Sequence, residues 1–317
     1  MAPHPKSNEI FLSRLYDAPV AAVWDAWTDP DQVSKWWGPR GFTLTTHSKD
    51  LRPGGTWRYT MHGPDGVDYP NVIKYHEVEE RAKLLYDHGG SDDRPPLFRV
   101  LVRFAPVGKR TRMDMTLTFP TPEAALETRK FIKAAGGEST WDRLAEHLEK
   151  ESTGKEIFVI ARAFDAPIEL MFDLWTDPRH LANWLPPQGS TMEFITADIR
   201  PGGTSFYSMS MPTGHKMYGK ASYLEITRPD RLVYTQQFAD EKGNVARHPL
   251  AATWPETMLT TVTFTAEGRS RTRVAISWEL HGAVTPTEME TFIKARGGMT
   301  QGWTGSLDKL EGVVTAS

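Results

Sequence analysis

The chain repeats itself at a fixed spacing. Asp17-Ala18-Pro19 recurs as Asp165-Ala166-Pro167, and Trp27-Thr28-Asp29-Pro30 as Trp175-Thr176-Asp177-Pro178. Arg52-Pro53-Gly54-Gly55-Thr56 recurs as Arg200-Pro201-Gly202-Gly203-Thr204, and all three pairs lie 148 residues apart. Further on, Phe131-Ile132-Lys133-Ala134 matches Phe292-Ile293-Lys294-Ala295 at an offset of 161, so the second copy has gained 13 residues, placed around residues 239–254. One insertion between otherwise collinear copies reads as a longer surface loop. A period of about 150 residues is far too long for a solenoid. In a chain of 317 residues each copy should therefore be a complete domain, 1–152 and 153–317.

Composition narrows the chemistry. The chain has no cysteine, which excludes a disulfide framework, Cys-ligated zinc and a thiol nucleophile. Its 37 basic and 40 acidic residues nearly balance, without the basic excess of a nucleic-acid binder. No apolar run approaches the roughly 18–20 residues of a membrane span, and the N-terminus lacks the apolar core of a signal peptide. The expected setting is the cytoplasm. The ten histidines are scattered, with no His-x-His or His-Glu-x-x-His spacing. No metal site and no cofactor is expected.

Within a copy the pattern reads strand, two short helices, a run of strands, then a helical segment. Residues 9–16 alternate as a strand. Asp17 offers a capping carboxylate and Pro19 a preset φ for a first helix carrying Val20, Val23, Trp24 and Trp27, and Asp29-Pro30 opens a second. Arg52-Pro53-Gly54-Gly55 predicts a type II turn, with Pro at its second position and Gly supplying positive φ at its third. Strands are expected over 57–61, 72–78, 84–88, 97–104 and 112–119. In the last of these Met113, Met115, Leu117 and Phe119 alternate with polar residues, as Val274, Ile276, Trp278 and Leu280 do in the second copy. That marks an antiparallel sheet with one covered face. The cover is a helix opening at Thr121-Pro122-Glu123, interrupted at Gly136-Gly137, and burying Trp141, Leu144, Ala145 and Leu148; Trp303, Leu307 and Leu310 do the same in copy two.

This order of elements, with its W-T-D-P step, R-P-G-G-T turn and Trp-bearing terminal helix, resembles the SRPBCC (START/Bet v 1-like) superfamily. Both copies, residues 9–150 and 156–314, resemble its group related to the activator of the Hsp90 ATPase. The resemblance implies an α+β fold of two tandem helix-grip domains, each a curved antiparallel sheet wrapped around a long C-terminal helix with a hydrophobic cavity between them. Members bind lipids, sterols, polyketides and other apolar small molecules, and a minority catalyse reactions on them. Many single-domain relatives pair, so the tandem is expected to act as an intrachain pseudo-dimer, monomeric in solution.

The candidate cavity residues follow from the strand faces assigned inward and from the tryptophans, of which there are 11. In the first copy they are Tyr59, Met61, Tyr75, Phe98, Val100, Met115 and Leu117, with Trp27, Trp36 and Trp141 at the helices. In the second they are Tyr207, Met209, Tyr223, Met258, Ile276 and Trp278, with Trp175, Trp184 and Trp303. Rigid rings cover a ligand and methionines adapt to it, although both also serve as plain core. Glu77 and Glu225, beside Tyr75 and Tyr223, are the acid/base candidates if they face that cavity, since burial raises a carboxyl pKa. If Val78 and Ile226 face inward instead, both carboxylates are solvated. His76 could join His62 and His88 in the first cavity. Three functions stand open: binding of a small hydrophobic molecule; a cyclase, dehydratase or hydrolase acting on one; or a stress- or chaperone-associated interaction module whose core is filled.

Overall fold

The computed structural model describes residues 6–89, 94–134 and 138–316. The chain divides into two compact units, Met1–Gly154 and Lys155–Ser317. The first runs β1 (Glu9–Tyr16), α1 (Val20–Thr28), α2 (Pro30–Trp36), β2 (Thr43–Lys49), β3 (Thr56–His62), β4 (Asp68–Glu79), β5 (Lys83–His88), β6 (Phe98–Val107), β7 (Arg110–Thr118), α3 (Pro122–Ala134) and α4 (Ser139–Thr153). The second runs β8 (Ile157–Phe164), α5 (Ile168–Thr176), α6 (Pro178–Trp184), β9 (Thr191–Ala197), β10 (Thr204–Ser210), β11 (Lys216–Thr227), β12 (Arg231–Ala239), β13 (Thr257–Ala266), β14 (Thr272–Leu280) and α7 (Pro286–Ala316). Each sheet is antiparallel with seven strands, ordered β1-β7-β6-β5-β4-β3-β2 and β8-β14-β13-β12-β11-β10-β9. These are two tandem helix-grip domains of the α+β class.

Local chemistry explains most element boundaries. The Asp29 carboxylate accepts from the amides of Asp31 and Gln32 at 2.8 and 3.0 Å, with Pro30 at the first helical position. Asp177 does the same for α6 through Arg179 N at 2.8 Å. Replacing Asp29 with Ala should cost about 1 kcal/mol, read as a lower urea midpoint at unchanged slope. Asp17 caps nothing: α1 begins at Val20 behind Pro19, with no side-chain cap bond. The type II turn is present, with Gly54 at φ +83° and Gly55 N donating to Arg52 O at 2.8 Å. Trp36 and Trp184, fully buried, staple α2 to α1 and α6 to α5 by donating Nε1–H to the Ala26 and Leu174 carbonyls, each at 2.9 Å.

Two strands escape the sequence pattern. β2 and β9 are sheet edges, and along β2 Thr, His, Ser and Lys surround the single apolar Leu44, so the sequence carries no alternation of apolar and polar residues there. The interruption expected at Gly136-Gly137 lies outside the described residues. In the second domain the covering helix α7 is continuous for 31 residues. Among the described residues no helix is long and apolar enough to cross a membrane.

Candidate functional site

The second domain holds an apolar cavity of about 280 Å³ between the inner face of β10–β14 and α7. Tyr207 and Met209 reach it from β10, Met258 from β13, Trp278 from β14 and Trp303 from α7. Trp278 and Trp303 pack edge to face at 5.6 Å and 69°. Trp175, Trp184, Tyr223 and Ile276 do not reach its wall; they are buried in the core behind it, with Trp175 stacked on Trp303 at 6.0 Å.

In the first domain the corresponding residues are inward too, but they pack against one another. Trp27, Trp36, Tyr59, Tyr75, Val100, Met115 and Leu117 are buried in one core, and Met61, Phe98 and Trp141 pack on it. The difference between the copies lies in three positions at the 148 offset. Trp37 donates Nε1–H to Tyr59 Oη at 3.2 Å, whereas Leu185 stands in its place and lines the cavity beside Tyr207. Trp57 packs on Tyr59 at 4.3 Å and on Trp37 at 5.3 Å, where the second copy has Ser205. Asn71 pairs with Tyr59, where Gly219 pairs with Tyr207. A Cβ at Gly219 would come within 2.5 Å of the Tyr207 ring, so only glycine lets that ring lie against β11. The Trp37 indole thus stands in the first domain where the smaller Leu185 lines the cavity in the second, and Trp57 stands where Ser205 bonds the Tyr223 hydroxyl.

The longer connection between β12 and β13, which by strand register takes 12 of the 13 extra residues, closes part of the cavity, and its end brings Trp254, Pro255 and Glu256 to the wall. Arg247 fastens it to α7 through Glu288 Oε1 at 2.6 Å, and Thr291 Oγ1 bonds Thr253 Oγ1 at 2.9 Å. The polar side of the cavity is Tyr207 with Gln236. Gln236 stands with it in the wall, and its Oε1 accepts from buried Thr260 at 2.9 Å. Burial pushes the Tyr207 hydroxyl up to about 12, so it is a neutral phenol at physiological pH.

The acid/base candidates fall elsewhere. Bulges between Tyr75 and Glu77 and between Tyr223 and Glu225 insert one unpaired residue in β4 and β11, which turns the following carboxylate to the outer face. There Glu77 pairs with Lys83, and Glu225 with Arg231 at 3.2 Å, each carboxylate nearly half exposed. His76 bonds Asp87 at 2.7 Å beside Arg99, and His62 bonds Asp68 at 2.6 Å at the surface. Only His88 turns inward, stacked on Phe98 at 4.7 Å, so the three histidines do not converge. The residues that the sequence reading missed, Leu185, Gly219, Gln236, Trp254 and Gly302, carried one available signal: most of them are where the two copies differ in side-chain volume, or where one copy is longer.

Structural neighbours are single domains and tandems. Protein Ms6760 from Mycobacterium smegmatis is 22% identical, covering 51% of this chain and 91% of its own, with a TM-score of 0.43. A protein from Arthrobacter aurescens is 27% identical over 51% and 87%, with a TM-score of 0.44. The di-domain ARO/CYC BexL from the BE-7585A biosynthetic pathway is 14% identical over 96% and 97%, with a TM-score of 0.39. The comparison with curated proteins gave no match. The family described as activator of Hsp90 ATPase homolog 1-like protein matches twice, over residues 17–149 and 165–315. Matched along both of its repeats, the chain belongs to that family, as a tandem of two SRPBCC domains.

Proposed function

We propose that the protein binds a small hydrophobic molecule in the second domain, while the first serves as a filled structural partner. The observation that carries this reading is the apolar cavity of about 280 Å³ under α7. That is near the lower end of ordinary ligand sites and about twice the ~150 Å³ that accepts benzene in an engineered core. A ligand of one or two rings suits it. Affinity comes from burying apolar area, at about 25 cal/mol per Å² before ordering costs, and Tyr207 with Gln236 offers hydrogen bonds to an oxygen on the ligand. The acid/base pair sought in the sequence has no carboxylate or imidazole in this wall except Glu256 at its edge, which favours binding over catalysis.

Gly302 gives a clean test. It lines the cavity, and a Cβ built on it meets nothing within 4 Å. Gly302→Leu should therefore fill the space with no loss of stability, since Leu also favours the helix over Gly by up to about 1 kcal/mol. Equilibrium dialysis should show 2-naphthol bound by the wild-type protein and at least tenfold weaker binding by Gly302→Leu. Equal uptake by both proteins, or none by either, would sink the proposal.

A further inference from the structure

The charge of the cavity wall narrows the ligand further. We infer that the second domain's cavity takes a lipophilic cation, an aryl or alkyl ammonium, in preference to a neutral or anionic molecule of the same shape. This rests on the binding reading above. No lysine, arginine or histidine is among the lining residues, so a carboxylate or sulfonate entering it would be desolvated without a counter-charge. Most of the wall is aromatic rings and thioethers, Tyr207, Phe238, Trp254, Trp278 and Trp303 with Met258 among four methionines, beside the neutral polar Gln236, Gln237 and Ser306. Aromatic faces attract a desolvated cation.

The longer β12–β13 connection adds the matching charge. It ends in an indole and a carboxylate two residues apart, Trp254 and Glu256, in the wall. Of the nearby cations, Lys216 lies over the Tyr218 ring at 5.6 Å, and Arg247 is held mainly by Glu288. Its Nη1 lies 2.6 Å from Glu288 and bonds the Trp254 carbonyl, while Glu256 is 4.0 Å from its other nitrogen. Glu256 thus shares Arg247 with Glu288 at the longer distance, and its half-exposed carboxylate keeps capacity to face a ligand's charge.

Three probes of one shape separate the possibilities: N,N,N-trimethylanilinium, its neutral isostere tert-butylbenzene, and benzenesulfonate. Equilibrium dialysis should rank them in that order, the cation about tenfold tighter than the neutral isostere. Glu256→Gln should weaken the cation about threefold, a modest loss because that carboxylate is half in water, and leave tert-butylbenzene unchanged. Gly302→Leu should abolish uptake of the cation. Binding of tert-butylbenzene as tight as the cation's overturns the charge preference and leaves the binding reading intact. So does an equal effect of Glu256→Gln on both. Failure of all three probes and of 2-naphthol removes both.

Discussion

Trp37→Leu, which installs the residue found at the equivalent position of the second repeat, is expected to destabilise the first domain by about 2–4 kcal/mol. The side chain is 8% exposed and packs on Trp27, Trp36, Trp57, Tyr59 and Trp141. Removing most of an indole from such a cluster forfeits transfer energy and leaves a cavity that the surrounding rings cannot collapse into. A second cost is polar: the Tyr59 hydroxyl, on a ring 1% exposed, loses the indole N–H it accepts from. Native-state hydrogen exchange resolves the two domains in the intact chain, and protection should fall in β3–β7 but not in β10–β14. The reciprocal change, Leu185→Trp, should close the second domain's cavity and abolish 2-naphthol uptake. A loss below about 1 kcal/mol for Trp37→Leu would mean that the first domain relaxes around the missing ring, and that the two cavities differ for some other reason.

That asymmetry bears on what a sequence of this kind discloses. The tandem organisation, the Asp-Pro helix starts and the Pro-Gly-Gly turn are legible because each depends on a local rule: a carboxylate reaching free amides, or a backbone angle only glycine adopts cheaply. The inward strand faces are legible for the same reason, since alternation is a property of the backbone. The bulges at His76 and Leu224 break that alternation, and no residue type announces them, so Glu77 and Glu225 turn outward unannounced. Whether an inward face encloses space depends on summed volumes. Matching positions between the repeats pointed to Trp175 and Trp184, which are core. The mismatches Trp37/Leu185 and Asn71/Gly219 fall in the cavity wall. The insertion was visible as length, but that it folds back onto α7 through Arg247 and Glu288 is a tertiary fact.

His88 should make the first domain acid-labile in a defined window. Burial beside Phe98 lowers its pKa to about 4, from about 6.5 in an unfolded chain. As pH falls below about 6.5 the unfolded state takes up a proton that the folded state refuses until about 4. The neutral ring's contribution is therefore complete above that window, declines through it and is gone below it. The shift corresponds to about 3 kcal/mol at most, and the ring's partial exposure brings the expected loss to about 2 kcal/mol. At the equivalent position the second repeat carries Gln236, which does not titrate. His88→Gln should flatten the profile: urea unfolding at pH 7.5 and 4.5 should show a drop about 2 kcal/mol smaller than the wild type's. Carboxylates and the remaining histidines contribute to both proteins and cancel in the difference. Parallel stability curves would show that His88 is protonated in the folded protein, and hence that its pocket admits water.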